Sequence, residues 1–155
     1  MLIGIPGSGK STYARTLGKP VLSLDGIRQE LYGDERVLGS ARETDRVLRE
    51  RLEKLARAGE DAVLDATHVS AQRRSRMIRL ARRLGYDRLI GVWFQTPIGV
   101  CLKRNRERPN ALPDFVLFKM QKDLNRQPPA VVEGFDELIE IAGPDKKGVR
   151  GRGWD

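Results

Sequence analysis

Residues 4–11 read GIPGSGKS, preceded by the apolar residues MLI and followed by TYARTL, a segment of helical character. This match to G-x-x-x-x-G-K-[ST], set between a strand and a helix, constrains the fold more than any other feature of the chain. Backbone N–H groups can curl round an anion only where the chain tolerates unusual φ angles, and the glycines permit that. The following helix adds the positive end of its dipole. Gly7, Ser8, Gly9, Lys10, Ser11 and Thr12 are therefore expected to cradle the phosphates of ATP. In such a loop the lysine, here Lys10, reaches the β- and γ-phosphates, and the serine hydroxyl, here Ser11, ligates Mg²⁺.

A turn of this kind works at the carboxyl edge of a parallel sheet. Apolar runs at 1–5 (MLIGI), 20–24 (PVLSL), 62–66 (AVLDA), 88–94 (RLIGVWF) and 137–142 (ELIEIA) alternate with segments of helical period. The expectation is an α/β fold, a mostly parallel five-stranded sheet flanked by helices. Ser40 and Glu43 have capping-box spacing, with Leu48, Leu52 and Leu55 inward and Gly59 ending that helix. Ser70 caps another, with Met77, Ile78, Ala81 and Leu84 inward and Gly85 behind it. Thr96-Pro97 reads as an N-cap followed by proline at the first helical position. Pro113 opens a last helix with Val116, Met120 and Leu124 on one side. Residues 1–143 are expected to form one domain, and the basic, glycine-rich tail at 144–155 to be disordered.

Lys and Arg number 29 against 21 Asp and Glu, a net charge of +8. A surface this basic suits a polyanionic partner such as nucleic acid, and equally a merely solvated face. One cysteine and one histidine exclude an intrachain disulfide, a Cys-rich zinc site and multi-His metal sites. No run reaches transmembrane length and no signal-peptide pattern is present, so the chain is expected in the cytoplasm, away from membranes. Oligomeric state is not legible.

SLDGIRQELYGDE, residues 23–35, ends the second apolar run and opens a helix. Asp25 reads as its N-cap. Arg28 is odder, because a cation in the first turn meets the positive end of the dipole. Both project from the edge that carries the glycine-rich turn. There Asp25 can take a proton from an attacking hydroxyl, and Arg28 can hold an anionic part of the acceptor. Asp65, ending VLDATH, can hold a Mg²⁺-bound water, while Asp61 at the other end of that strand should face away. RNRERPNALP, residues 104–113, is a charged, proline-punctuated break expected to act as a mobile lid, bringing Arg104, Arg106 and Arg108 over the triphosphate. The helix SAQRRSRMIRLARRL shows a basic outer face of Arg73, Arg74, Arg76, Arg79, Arg82 and Arg83. Trp93, Phe94 and Phe115 are expected in the core, and Tyr32 is a candidate for stacking near the acceptor.

GIPGSGKST, LSLDGIRQELYGD, VLDATHVSAQRRSRMIRLARRLGY and CLKRNRERPNALPDFVLFKM together resemble the kinase domain of the 5′-polynucleotide kinase group of P-loop phosphotransferases. The likeness runs from the glycine-rich turn to EGFDELIEI at 133–141. It implies a P-loop kinase fold and transfer of the γ-phosphate of ATP to the 5′-hydroxyl of DNA or RNA. It makes Asp25 the general base and Arg28 the contact to the phosphate just 3′ of the acceptor nucleoside. Arg104 and Arg108, from an R-N-x-x-R element, become the lid arginines, and Arg106 is less clear. The family shows D-x-T-N where this chain has His68 in place of the asparagine, which leaves position 68 open. Two other readings stand beside this one. The chain could be a kinase of the same fold acting on a small hydroxylated metabolite or nucleotide sugar, or a nucleic-acid-binding module that binds ATP without transferring phosphate. No D-x-D-x-T element suggests phosphatase activity.

Overall fold

The computed structural model describes residues 1–37 and 39–143. Each of the five apolar runs supplies one strand: β1 (Leu2–Ile3), β2 (Val21–Ser23), β3 (Val63–Asp65), β4 (Ile90–Gln95) and β5 (Glu137–Ala142). They form one sheet in the order β2-β3-β1-β4-β5, with every neighbouring pair parallel. Six helices connect and flank them: α1 (Lys10–Thr16), α2 (Leu24–Tyr32), α3 (Ala41–Arg57), α4 (Ala71–Arg83), α5 (Ile98–Arg106) and α6 (Asp114–Arg126). None of the described helices is long and apolar enough to cross a membrane. The tail expected to be disordered lies outside the described residues.

The period of two in the strands sorts side chains between two layers. Leu2, Val63, Val92 and Phe94 pack with Ala14 and Tyr13 of α1, where Tyr13 meets Phe94 edge-on at 5.4 Å between ring centroids. Ile3 turns the other way, onto Ile78 of α4, Leu124 of α6 and Phe135, with Trp93 partly buried beside them. Leu22 and Leu64 meet Leu48 and Leu52 of α3 and Ile27 of α2. Covered on both faces, β1 is the central strand, and the turn that follows it lies mid-edge.

Ser40 and Ser70 cap as their spacing predicts, accepting the N–H of Glu43 at 3.3 Å and of Arg73 at 3.4 Å. The return half of the first capping box is different. Tyr32 stands between its partners, accepting the Ser40 N–H at 3.2 Å and donating to the Glu43 carboxylate at 2.8 Å. Gly39, at φ +48°, makes room, since a Cβ there would lie 2.3 Å from the Tyr32 ring. Tyr32, expected to stack near the acceptor, thus has its hydroxyl engaged in joining α2 to α3.

Four other expectations need correction. Ser23, not Asp25, caps α2, accepting the Gly26 N–H at 3.2 Å, so Asp25 sits in the first turn with its carboxylate free of capping. Pro97 occupies the cap position of α5, and Thr96 turns elsewhere. In α6 the wholly buried residues are Leu117 and Leu124, a seven-residue repeat that sends Phe115 outward, 71% exposed rather than in the core. Arg74, read as part of the basic outer face of α4, is fully buried, whereas Arg73, Arg76, Arg79 and Arg83 are exposed and Arg82 pairs with Asp136.

All five N–H donors of Arg74 are used. Its fork grips Glu133 through two bonds of 2.7 Å, and the remaining donors reach the carbonyls of His68 (3.0 Å), Val69 (3.1 Å) and Gln127 (2.7 Å). A buried cation survives only when paired and fully hydrogen-bonded, and this one ties the β3–α4 connection to the segment leading into β5. Arg74→Ala strands Glu133 and three carbonyls. The expected cost is about 3–5 kcal/mol in urea unfolding, against within about 0.5 kcal/mol for the exposed Arg79→Ala.

Candidate active site

The turn after β1 is braced from four sides. The Gly4 N–H donates to the Thr67 carbonyl at 3.0 Å, and the Thr96 hydroxyl donates to the Ser8 carbonyl at 2.9 Å. Lys10 Nζ donates to the Ile5 carbonyl at 3.0 Å, and Arg104 to the Gly7 carbonyl at 3.1 Å. Gly7, at φ +80°, packs directly on α5, where a Cβ would come within 2.6 Å of the Cys101 carbonyl oxygen. Thr96 was missed by sequence reasoning, which assigned its hydroxyl to a helix cap. α2, α3 and α4 each have a serine side chain at the N-terminus, but α1 begins at left-handed Gly9 with no side-chain cap. The first N–H groups of α1 thus face outward with the glycine-rich loop, as an anion site requires.

Lys10 is buried beneath this loop, and desolvation lowers its pKa to about 8, opposed by the carboxylates of Asp65 and Asp25. It is therefore still mainly cationic at neutral pH. The Ser11 hydroxyl donates to Asp65 Oδ2 at 2.7 Å, and Asp65 is buried at the end of β3. No group of three or more His, Cys, Asp or Glu side chains that could hold a metal exists among the described residues. The donor set is a hydroxyl backed by one carboxylate, which suits Mg²⁺, a hard ion that keeps its waters and shares a nucleotide's phosphate oxygens. Ser11 would hold the ion and Asp65 one of its waters.

Asp25 follows β2 at the same edge, since Ser23 pairs in register with Asp65. Its carboxylate is 59% exposed and accepts from Arg28 Nη1 at 2.6 Å. The two residues singled out in the sequence are thus together, bonded to each other.

The irregular segment within the expected 104–113 break is shorter than that break. α5 continues through Arg106, leaving 107–113 as the break, because the charged run before Pro109 is helix-compatible and the proline disfavours helix only at its immediate predecessor. Arg104 on the last turn of α5 contacts Gly7, and Arg108 reaches across to Glu35, between α2 and α3, at 3.2 Å. Arg106 pairs instead with Asp114 at the start of α6. Asn105, fully buried, accepts the Leu112 N–H at 3.1 Å and donates to the Leu112 carbonyl at 2.7 Å, closing the loop at its base. Sequence reasoning weighed only the arginines beside it. Asp61 pairs with Lys19 at the far end of β3, away from this edge.

His68 has a structural explanation. It sits at φ +47°, a left-handed conformation in which Asn, Asp and His are enriched among non-glycine residues. Its buried ring donates Nδ1–H to the Leu2 carbonyl at 2.7 Å, pinning the β3–α4 connection to the first strand.

A phosphate-binding loop after the central strand of this parallel sheet, a buried Ser11–Asp65 pair beside it and an arginine-bearing connection above it define a P-loop kinase fold. The chain belongs to the AAA domain family, whose profile matches residues 1–127. Among solved structures it is similar to a chain of the Pnkp1/Rnl/Hen1 RNA repair complex, at 20% identity and a TM-score of 0.72. That match covers 81% of this chain but only 43% of the other, so this chain spans less than half the length of that relative. It is also similar to a gluconokinase from Sinorhizobium meliloti 1021, at 18% identity and a TM-score of 0.56, covering 94% of this chain and 82% of that one. A shikimate kinase from Acinetobacter baumannii, in complex with shikimate, matches at 22% identity and a TM-score of 0.50, covering 90% and 81%. At these identities the likeness concerns the fold.

Burial lowers the pKa of His68 to about 4 from an ordinary value of 6.5. The folded protein therefore binds fewer protons than the unfolded chain between those values, and stability present above pH 6.5 is lost as pH falls toward 4. His68→Asn keeps a residue that tolerates the left-handed turn but removes the titration. Chemical unfolding followed from pH 7 to pH 4 should decline less steeply for that variant than for the wild-type protein.

Proposed function

We propose that this protein is an ATP-dependent kinase of nucleic-acid 5′-hydroxyl ends. The observation that carries the reading is the Asp25–Arg28 pair at the sheet edge that holds Lys10, Ser11 and Asp65. A carboxylate beside a cation suits an acceptor with a hydroxyl and a phosphate close together, which a 5′-terminal nucleotide has. The net charge of +8 supports a polyanionic partner, as does the likeness to a chain of an RNA repair complex.

In this reading the loop amides and Lys10 hold the triphosphate, and Arg28 takes the phosphate 3′ of the acceptor nucleoside. Asp25 accepts a hydrogen bond from the 5′-hydroxyl and removes its proton as the oxygen bonds to the γ-phosphorus. The bond from that phosphorus to the β–γ bridging oxygen breaks, and ADP leaves. Arg104 and Arg108 bring positive charge to the transferring group, Arg108 exchanging its contact with Glu35 for the phosphoryl oxygens as a mobile lid closes. Mg²⁺, when bound through Ser11 and an Asp65-held water, neutralises charge on the β- and γ-oxygens.

Transfer of labelled γ-phosphate to a 5′-hydroxyl oligonucleotide tests this, with the 5′-phosphorylated oligonucleotide as control. Label is expected on the hydroxyl end alone, and Asp25→Asn should lower the rate by about 10²–10⁴-fold with ATP binding retained. Label instead on gluconate, shikimate or another small hydroxylated acceptor would replace the nucleic-acid reading with a metabolite kinase. Oligonucleotide binding without transfer, unchanged in Asp25→Asn, would make the chain a binding module.

A further inference from the structure

The outward face of α6 carries a row that the catalytic reading does not use. Phe115, Phe118, Lys119, Lys122 and Arg126 fall at i, i+3, i+4, i+7 and i+11, one side of a helix with 3.6 residues per turn. All five are exposed, Phe115 by 71% and Phe118 by 53%. The opposite side is anchored by Leu117 and Leu124, so the aromatic pair is not displaced core. None of the three cations is in an ion pair among the described residues. Of the acids in α6, Asp114 is held by Arg106, and half-buried Asp123 borders the row, four residues on from Lys119, without an ion pair to it.

The row's position is as informative as its composition. It starts two residues after Pro113, where the arginine-bearing loop ends, and extends for roughly 16 Å at 1.5 Å per residue. At its far end the Gln127 side-chain oxygen accepts the N–H of Ala71, joining the end of α6 to the start of α4, which carries exposed Arg73.

We infer that the outer face of α6 is a path for single-stranded nucleic acid leading away from the acceptor site, with bases stacked on Phe115 and Phe118 and phosphates against Lys119, Lys122 and Arg126. This rests on the nucleic-acid reading above and adds to it where the strand lies. Aromatic faces beside unpaired cations are what a sequence-tolerant strand requires, since every base has a face to stack and every linkage a charge. Two exposed phenylalanines within a cationic row suit that ligand better than an apolar partner helix, which would have to desolvate three unpaired charges.

The test is fluorescence-anisotropy titration of a labelled single strand of about ten nucleotides, at several salt concentrations. Phe115→Ala/Phe118→Ala should raise Kd about tenfold or more. Lys119→Ala/Lys122→Ala/Arg126→Ala should flatten the dependence of log Kd on log salt by about 2, at about 0.7 per phosphate contact. Thermal midpoint, ATP affinity and phosphorylation of a nucleoside 3′-monophosphate, which is too small to reach α6, should be unchanged. If both variants bind the strand like wild type while the nucleoside 3′-monophosphate is still phosphorylated, the path is overturned and the kinase reading stands. Wild-type protein that neither binds the strand nor phosphorylates the nucleotide overturns both. Self-association of wild type that is abolished by Phe115→Ala/Phe118→Ala, with strand binding unaltered, makes the face a protein contact and overturns the path.

Discussion

The loop after β1 must keep its amides free for an anion while its carbonyls are tied down, and much of the structure round the site answers to that requirement. The carbonyls of Ile5, Gly7 and Ser8 accept from Lys10, Arg104 and Thr96. By contrast, the N–H groups of Gly7, Gly9 and Lys10 have no protein acceptor among the described residues. Three separate elements supply the donors: α1 itself, the β4–α5 connection and the last turn of α5. A six-residue loop with three glycines could not hold such a shape alone, because glycine loses more conformational freedom on ordering than any other residue. The bracing offsets that entropy and leaves the amides aligned beforehand.

The same bracing explains why buried charge is tolerated here. Lys10 has lost its water, yet the nearby carboxylates of Asp65 and Asp25 keep its pKa no lower than about 8. Asp65 in turn accepts from Ser11. One end of the sheet therefore collects a cation, two carboxylates and a hydroxyl within reach of a single ligand. At the opposite end of β3 lies the exposed Lys19–Asp61 pair, a contact of the kind that contributes about 0–1 kcal/mol.

The architecture was legible because it is written in periodicity. Five apolar runs became five parallel strands, and Ser40 and Ser70 capped where their spacing said they would. Within the site, the glycine-rich turn and Asp65 follow from a motif set against strand ends, so their placement was legible too. What escaped was identity of partner. Thr96 reads as a cap from its neighbour Pro97, and nothing local says that its hydroxyl will meet Ser8, 88 residues earlier. Asn105 makes its two bonds to a backbone seven residues on, a contact defined by how a loop folds back rather than by any repeat. Phe115 was assigned to the core by its residue type, whereas the Leu117–Leu124 stripe decides which way α6 turns.

Arginine shows the limit most sharply, since one residue type fills opposite roles here. Arg74 commits five donors in a buried fork and cannot leave without breaking the fold. Arg28, the fifth residue of α2 and so beyond the first turn after the Ser23 cap, has a side chain only 18% exposed and donates one hydrogen bond, to exposed Asp25, an i,i+3 contact worth about 0.2–0.5 kcal/mol. In the sequence both are arginines on helices that follow strands. What distinguishes them is how many of their donors the fold itself consumes.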